Sequence, residues 1–223
     1  MLTGSPRNKK RLSGKKTRFP KPSPSNLKAQ EKRALILQAA VETIAKKGYH
    51  QGTITDIARQ AKISYGLVYN YFRNKEDIVL TLFRERWERF SAYIEETQNQ
   101  PIPPDQKMIR VGNFLIRSYE REPNLMKVLV LNVVPHSKFF EINKPAIDRA
   151  FRLIQKIYEE GQRDGFFDRD LDSRIAVQGF YGGILQILVS WIQGLIPDSS
   201  RFIKRAYKYI QNSVESCSRN RKS

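Results

Sequence analysis

Apolar residues recur at helical spacing through most of the chain, and the connections between the periodic segments are short, so the pattern predicts an all-α protein. Between Lys28 and Lys47 the positions Ala34, Leu35, Ile36, Leu37, Ala40, Val41, Ile44 and Ala45 form a first amphipathic helix, and Gly48 stands where a C′ residue ends one. Thr53, with Asp56 three residues on, has the spacing of a capping box and opens a second helix carrying Ile54, Ile57, Ala58 and Ala61 on one face. Lys62-Ile63 makes a tight connection, and Ser64 is an N-cap for a third helix, Tyr65 to Asn70, which buries only Leu67 and Val68. Asn74, with Asp77 at N3, caps a long helix through Ile78, Leu82, Phe83, Trp87, Phe90 and Ile94. Two short capped helices followed at once by a third are the layout of a helix-turn-helix reader of DNA. In that layout Ser64, Tyr65, Gly66, Tyr69 and Asn70 lie on the face away from the core.

Beyond residue 100 the pattern predicts further helices. Pro101, Pro103 and Pro104 break the chain and Asp105 restarts it, with Ile109, Val111, Phe114, Leu115 and Tyr119 on one face. Pro123 opens a segment, Leu125 to Val134, that is apolar nearly all round; it should be buried in the middle of the domain and end at Pro135. Asn143 to Arg163 is amphipathic through Ile147, Phe151, Ile154 and Tyr158, with Gly161 and Gly165 as candidate stops. Asp172 caps the most apolar helix, about 172–195, which runs through Val177, Phe180, Tyr181, Ile184, Leu185, Leu188, Trp191 and Ile192. Gly179, Gly182 and Gly183 lie inside it, where each glycine costs about 1 kcal/mol relative to alanine and so implies a close neighbour. Pro197-Asp198 opens a last helix bearing Phe202, Ile203, Ala206, Tyr207, Ile210 and Val214.

Charge narrows the partner class. The 223 residues carry a formal net charge of +18, which points to a polyanion, nucleic acid above all. Arg7, Lys9, Lys10, Arg11, Lys15, Lys16, Arg18 and Lys21 fall in a segment, residues 1–26, that has no acidic residue and almost no apolar periodicity. This reads as a disordered basic arm adding phosphate contacts. A solubilising tail or a targeting presequence are the other readings, the prolines at 20, 22 and 24 opposing the amphipathic helix of the latter.

At this point the resemblance is specific. Thr53-x-x-Asp56-Ile57-Ala58, Ser64-x-Gly66-x-x-Tyr69-x-Tyr71-Phe72 and Asn74-Lys75-Glu76-Asp77 match, in order and spacing, the pattern of the tetracycline-repressor (TetR) family of bacterial transcription regulators. The match is detailed over about Lys28 to Phe90 and architectural beyond it. Lys62 departs from it, since many members carry Gly in that turn. The resemblance implies an N-terminal three-helix helix-turn-helix DNA-binding domain, residues 27–73, and a C-terminal helical ligand-binding and dimerisation domain, residues 74–216, followed by a tail, 217–223. It implies a homodimer on a palindromic double-stranded operator. The DNA contacts it implies are Thr53 and Lys75 on phosphates and Tyr65 and Tyr69 in the major groove, with Gly66 allowing close approach and Ser64, Asn70 and Tyr71 completing the face. Phe180, Gly183, Ile187, Trp191 and Phe202 are expected at the dimer seam. The phrase from Glu159 to Asp172, with Gln178-Gly-Phe-Tyr-Gly-Gly-Ile after it, is similar to the branch that senses fatty acyl-CoA. An apolar effector would be lined by Phe83, Trp87, Phe90, Phe114, Met126, Leu129, Val130, Val133, Phe151, Ile154, Tyr158, Tyr181 and Ile184, unless these residues pack a solid core.

Other classes are weaker. Glu159-Glu160 and Asp168/Asp170 are carboxylate pairs without a His or Lys partner at useful spacing, and there is no phosphate-cradling glycine loop, so an enzyme is not expected; a solvated face accounts for the pairs. Two histidines, His50 and His136, with the one cysteine, Cys217, do not make a closed zinc site or an internal disulfide, so neither metal nor cofactor is expected. The stretch Ala176–Ile196 is interrupted by Gln178, Gln186, Ser190 and Gln193, and a soluble, cytoplasmic protein without a membrane partner is expected. A nucleic-acid-compacting protein and a repressor answering hydrophobic drugs are the alternatives.

Overall fold

The structure, a computed structural model, describes residues 24–130, 137–196 and 200–218, and every element among them is helical. The order is α1 Pro24–Lys47, α2 Ile54–Gln60, α3 Tyr65–Tyr69, α4 Lys75–Gln98, α5 Pro104–Arg121, α6 Pro123–Val128, α7 Ser137–Arg163, α8 Ser173–Ile192 and α9 Ser200–Ser218. The basic residues Arg7 to Lys21, and the predicted lining residue Val133, lie outside the described residues, as does His136.

Local chemistry sets the ends of these helices. Gly48 closes α1 at φ +82°, donating its N–H to Ile44 O at 2.8 Å. Thr53 and Asp56 complete the capping box of α2: the Asp56 N–H donates to Thr53 Oγ1 at 3.1 Å and the Thr53 N–H to Asp56 Oδ2 at 3.2 Å. Asn74 caps α4 by accepting from the Asp77 N–H at 2.8 Å. The Asp77 carboxylate reaches one residue further back than a capping box requires, to the Arg73 N–H. Asp172 accepts from the Arg174 and Ile175 N–H groups at the start of α8, and the Arg174 guanidinium and these bonds bring its carboxyl down to about 2. The connection after α2 is the strained one. Lys62 sits at φ +54°, the only non-glycine with positive φ among the described residues, while the Ile63 N–H closes the turn on Ala58 O at 3.0 Å.

Two cores form, and they share walls. The first gathers Ile36 and Ile44 of α1, Ile57 of α2, Val68 of α3 and Ile78 and Val79 of α4, all at most 1 % exposed. It is completed from further along the chain by Leu125, Val128 and Leu129 and by Phe139 and Ile147 of α7. The second core packs Phe90, Ile94, Val111, Ile116, Ile154, Ile157, Ile184, Leu188 and Ile210 from α4, α5, α7, α8 and α9. Helix α4, 24 residues or about 36 Å long, runs from one core into the other, with Trp87 packed against both.

Three expectations change here. The segment after Pro123 is mostly buried, as expected, over its described residues, to Val130, but between two cores rather than in the middle of one. Helix α6 ends at Val128 and works as a wedge, with Leu125 and Val128 in the first core and Met126 in the second. Helix α7 starts at Ser137 and passes through Pro145, two residues after the buried Asn143 amide donates to Phe139 O. Gly161 does not stop α7. A Cβ there would stand 2.3 Å from the Phe167 ring, so glycine is what lets that ring close over the helix, and Gly165, at φ +73°, ends the element.

Candidate nucleic-acid interface and effector cavity

Helix α3 is held by Val68, fully buried, and by half-buried Leu67, which leaves Ser64, Tyr65, Gly66, Tyr69 and Asn70 facing outward. Tyr65 and Tyr69 are one turn apart; their rings meet edge to face at 5.0 Å and their hydroxyls are 2.9 Å from each other. The Tyr65 hydroxyl is also what raises the Tyr69 pKa. Two exposed phenols locked into one unit lose little freedom on binding and offer both a donor and an acceptor. Gly66 has nothing within 4 Å of where a Cβ would stand, so an approaching surface meets bare backbone. Ser64 occupies the N-cap position without a side-chain cap bond. Tyr71 differs from the rest of the predicted face, being half-buried against the first core.

Two predicted phosphate contacts are engaged elsewhere. The Thr53 hydroxyl donates to Asp56 Oδ2 at 2.8 Å besides accepting from the Asp56 N–H, so it is used up in its cap. Lys75, the other expected phosphate contact, instead donates through Nζ to the Tyr49 and Gly52 carbonyls, the latter at 2.8 Å, and lies 4.5 Å from the Tyr49 ring centre. Burial lowers its pKa. It ties the turn between α1 and α2 to the start of α4, a closure the sequence hid because those carbonyls belong to the backbone. Asp56 is held well below the usual carboxylate range by Lys47, whose Nζ is 2.8 Å away, and by Thr53.

Of the carboxylate pairs, Asp168 and Asp170 are exposed, as expected, whereas Glu159 and Glu160 are structural. Glu160 is not on a solvated face but accepts from Lys107 at 2.7 Å in a bridge that buries the lysine, and Glu159 accepts from Gln155 and Ser173. Among the described residues no three His, Cys, Asp or Glu side chains are grouped to hold a metal ion.

Between α4, α6 and α8 lies an apolar cavity of ≈ 60 Å³, and Phe83, Trp87, Phe90, Met126, Leu129, Val130 and Tyr181 of the expected set line it. Phe114 stands behind it, stacked on Phe90 at 5.5 Å, and Phe151 packs against Trp87 and Tyr181. Ile154 is a core residue, 1 % exposed. Tyr158 and Ile184 instead line a second cavity of ≈ 300 Å³, reached from the exposed edge of α8 and α9. Sequence reasoning missed Leu115, Leu185, Leu188 and, more consequentially, Arg86. Arg86 was findable: it sits on the apolar stripe of α4, three residues after Phe83 and four before Phe90. Burial presses its guanidinium down to about 10 and the Tyr181 phenol up to about 12.

The outward face of α8 departs from the expected seam in its particulars. Trp191 is 3 % exposed, stacked on Tyr119 at 4.9 Å, with Phe202 against its edge, so it packs the second core and presents no seam. Phe180 turns inward, since a Cβ on Gly112 would stand 2.9 Å from it. Gly183 lies under the Tyr209 hydroxyl, 3.1 Å from where its Cβ would be, and Ile187 is half-buried. What α8 exposes is Ile175, Gly179 and Gly182, flanked by Arg174, Gln178 and Gln186, with Leu195 just beyond its end. Among the described residues α8 is the one helix long and apolar enough, by length and composition, to cross a membrane, yet only 22 % of that window is buried within the chain.

Comparison with known proteins agrees with this layout. Residues 36–82 match the model described as bacterial regulatory proteins, tetR family, and residues 83–209 that of the C-terminal region of YsiA-like protein. The chain is 33 % identical over 162 residues to the fatty acid metabolism regulator protein of Bacillus subtilis, covering 70 % of this chain and 81 % of that one. Its fold is similar to that of the fatty acid degradation regulator FadR from Bacillus halodurans, with a TM-score of 0.73 and 26 % identity over 86 % of this chain and 97 % of that one. It is equally close, at TM-score 0.73 and 28 % identity over 82 % and 97 %, to FadR from Bacillus subtilis, solved in complex with stearoyl-CoA. An exposed recognition helix on a helical body with an apolar cavity, matched along both halves, makes this chain a member of the TetR family of bacterial transcriptional regulators, close to the regulators of fatty acid metabolism.

Proposed function

We propose that the protein is a repressor that binds a palindromic operator as a homodimer and is released by an apolar effector, a long-chain fatty acyl-CoA. The observation that carries this is the shared wall: Leu129 lines the apolar cavity and also belongs to the core that holds the recognition helix, and α4 joins the two. A cavity of ≈ 60 Å³ is smaller than the roughly 150 Å³ that holds one benzene. An acyl chain therefore enters only by pushing its walls apart, and the Met126-to-Val130 wall is the back of the wedge under α1. Ligand binding then shifts the population toward a pose in which paired α3 helices no longer match the groove. The related regulator solved with stearoyl-CoA supports the choice of ligand class.

In the dimer, the exposed face of α8, with Ile175, Gly179 and Gly182 among Gln178 and Gln186, meets its copy together with α9, which sets two recognition helices on one side of the DNA. Tyr65 and Tyr69 read the major groove, Ser64 and Asn70 flank them, and the residues from Arg7 to Lys21 add phosphate contacts that deepen salt dependence without choosing sequence. The ≈ 300 Å³ cavity favours a second placement of the ligand, beside the seam. Filling variants separate the two: Leu129→Trp blocks the first, Ala176→Trp the second.

The test is titration of the operator complex with acyl-CoA species of increasing chain length. Release by long chains and none by free coenzyme A is the expected result. No release at any length rejects the acyl effector, and equal protection of operator and random duplex in a salt-resistant footprint points to a compacting protein instead.

A further inference from the structure

Arg86 is out of place in a wall of phenylalanine, leucine and methionine. Its side chain is 11 % exposed, and its Nη2 is buried without a hydrogen-bond partner among the described residues. What surrounds it does not satisfy it. The guanidinium carbon lies 5.2 Å from the Phe114 ring centre, and Nη1 is 3.9 Å from Glu122 Oε2, too far for a hydrogen bond. Arg89, itself 3.7 Å from the same carboxylate, adds positive charge. A buried guanidinium left short of partners is costly, and chains retain such a group where something else completes it. The Tyr181 phenol is neutral and the other side chains around the cavity are apolar, so none of them carries a charge to balance the guanidinium.

We propose that Arg86 is the anion-binding residue of the effector cavity, receiving through its buried Nη2 an oxyanion carried by an otherwise apolar ligand: the carboxylate of a fatty acid or a phosphate of its coenzyme A ester. This rests on the reading of that cavity as the effector site and adds the chemistry of the ligand's head. It also supplies the coupling. Glu122 is the cap residue shared by α5 and α6, and Arg86 and Arg89 both lie within 4 Å of its carboxylate. An arriving oxyanion draws on the Arg86 charge that Glu122 now shares and so loosens that ion pair at the corner between α5 and α6, leaving Glu122 to Arg89 at 3.7 Å.

The experiment compares matched ligands with and without the anion on the full chain. The pairs are 1-anilinonaphthalene-8-sulfonate against N-phenyl-1-naphthylamine, and palmitate against hexadecanol, with palmitoyl-CoA as a further ligand. The expected result is that the wild type binds each anion at least about tenfold tighter than its neutral partner, the size of one charge-assisted hydrogen bond. Arg86→Met brings the ratio near one, Arg86→Lys leaves an intermediate ratio, and Arg84→Met, which removes an exposed cation from the same helix, leaves it unchanged. Removing a buried cation short of partners does not threaten folding, so Arg86→Met remains interpretable. A drop for palmitate alone assigns the carboxylate, and a drop for palmitoyl-CoA assigns the phosphate. Wild type without preference, or a preference that survives Arg86→Met, overturns the proposal. If the naphthalene pair is discriminated through Arg86 while neither palmitate nor palmitoyl-CoA binds, the anion site stands and the acyl effector falls.

Discussion

The reading head, α1 to α3 with the start of α4, and the body behind it are built from the same kind of helix to opposite ends. In the head every local device points to one conformation. The capping box of Thr53 and Asp56, the Lys75 tether and a core of Ile36, Ile57 and Val68 with no exposed surface hold five residues of α3 in place. The body has cavities, a buried guanidinium short of partners and an apolar helix left largely uncovered. The proposed function needs this inequality. A part that touches DNA has to move as a rigid piece, whereas a part that meets a ligand has to have two arrangements of similar free energy.

The sharpest break of that comparison is in the head. Ile57→Ala, at a position with 0 % exposure, is expected to cost about 3 kcal/mol and to abolish operator binding, whereas Leu185→Ala on the cavity wall costs less, about 1–2 kcal/mol, because space already lies beside it. Urea unfolding of both variants measures the difference, and equal losses would mean that the body is as closely packed as the head. Next in size is Gly161→Ala, which sets a methyl group against the Phe167 ring; a loss of about 2 kcal/mol in the same assay is expected, with Phe167→Ala restoring part of it in the double variant.

Smaller effects sharpen the picture of the head. Lys62→Gly relieves the left-handed residue between α2 and α3, and a gain of about 0.5–1 kcal/mol is expected, the glycine's greater unfolded-state entropy offsetting part of the relief. A loss instead would show that the Lys62 side chain contributes more than its backbone costs. The smallest is pH-dependent. The Asp56 carboxyl is depressed by Lys47 and Thr53, so its stabilisation is present above pH 4 and is lost as the pH falls toward its lower folded value. Asp56→Asn should therefore lower the thermal midpoint by about a degree at pH 7, with the gap to wild type closing in scans taken progressively below pH 4.

What the chain settled alone was whatever neighbours in sequence decide: the all-helical class, the caps at Thr53, Asn74 and Asp172, the two-residue turn at Lys62, and the outward set Ser64, Tyr65, Gly66, Tyr69 and Asn70. Each follows from periods and spacings of a few residues, where backbone geometry leaves little choice. Tertiary structure decided the rest. The all-round apolar stretch after Pro123 has no stripe to say which partner it faces, and only packing made α6 a wedge between two cores. Gly161 has the spelling of a helix stop until Phe167 is seen on top of it, and Trp191 that of an interface anchor until Tyr119 stacks beneath it. Lys75 found its partners in backbone carbonyls about 25 positions away, a kind of acceptor that every residue carries and that no side-chain pattern announces.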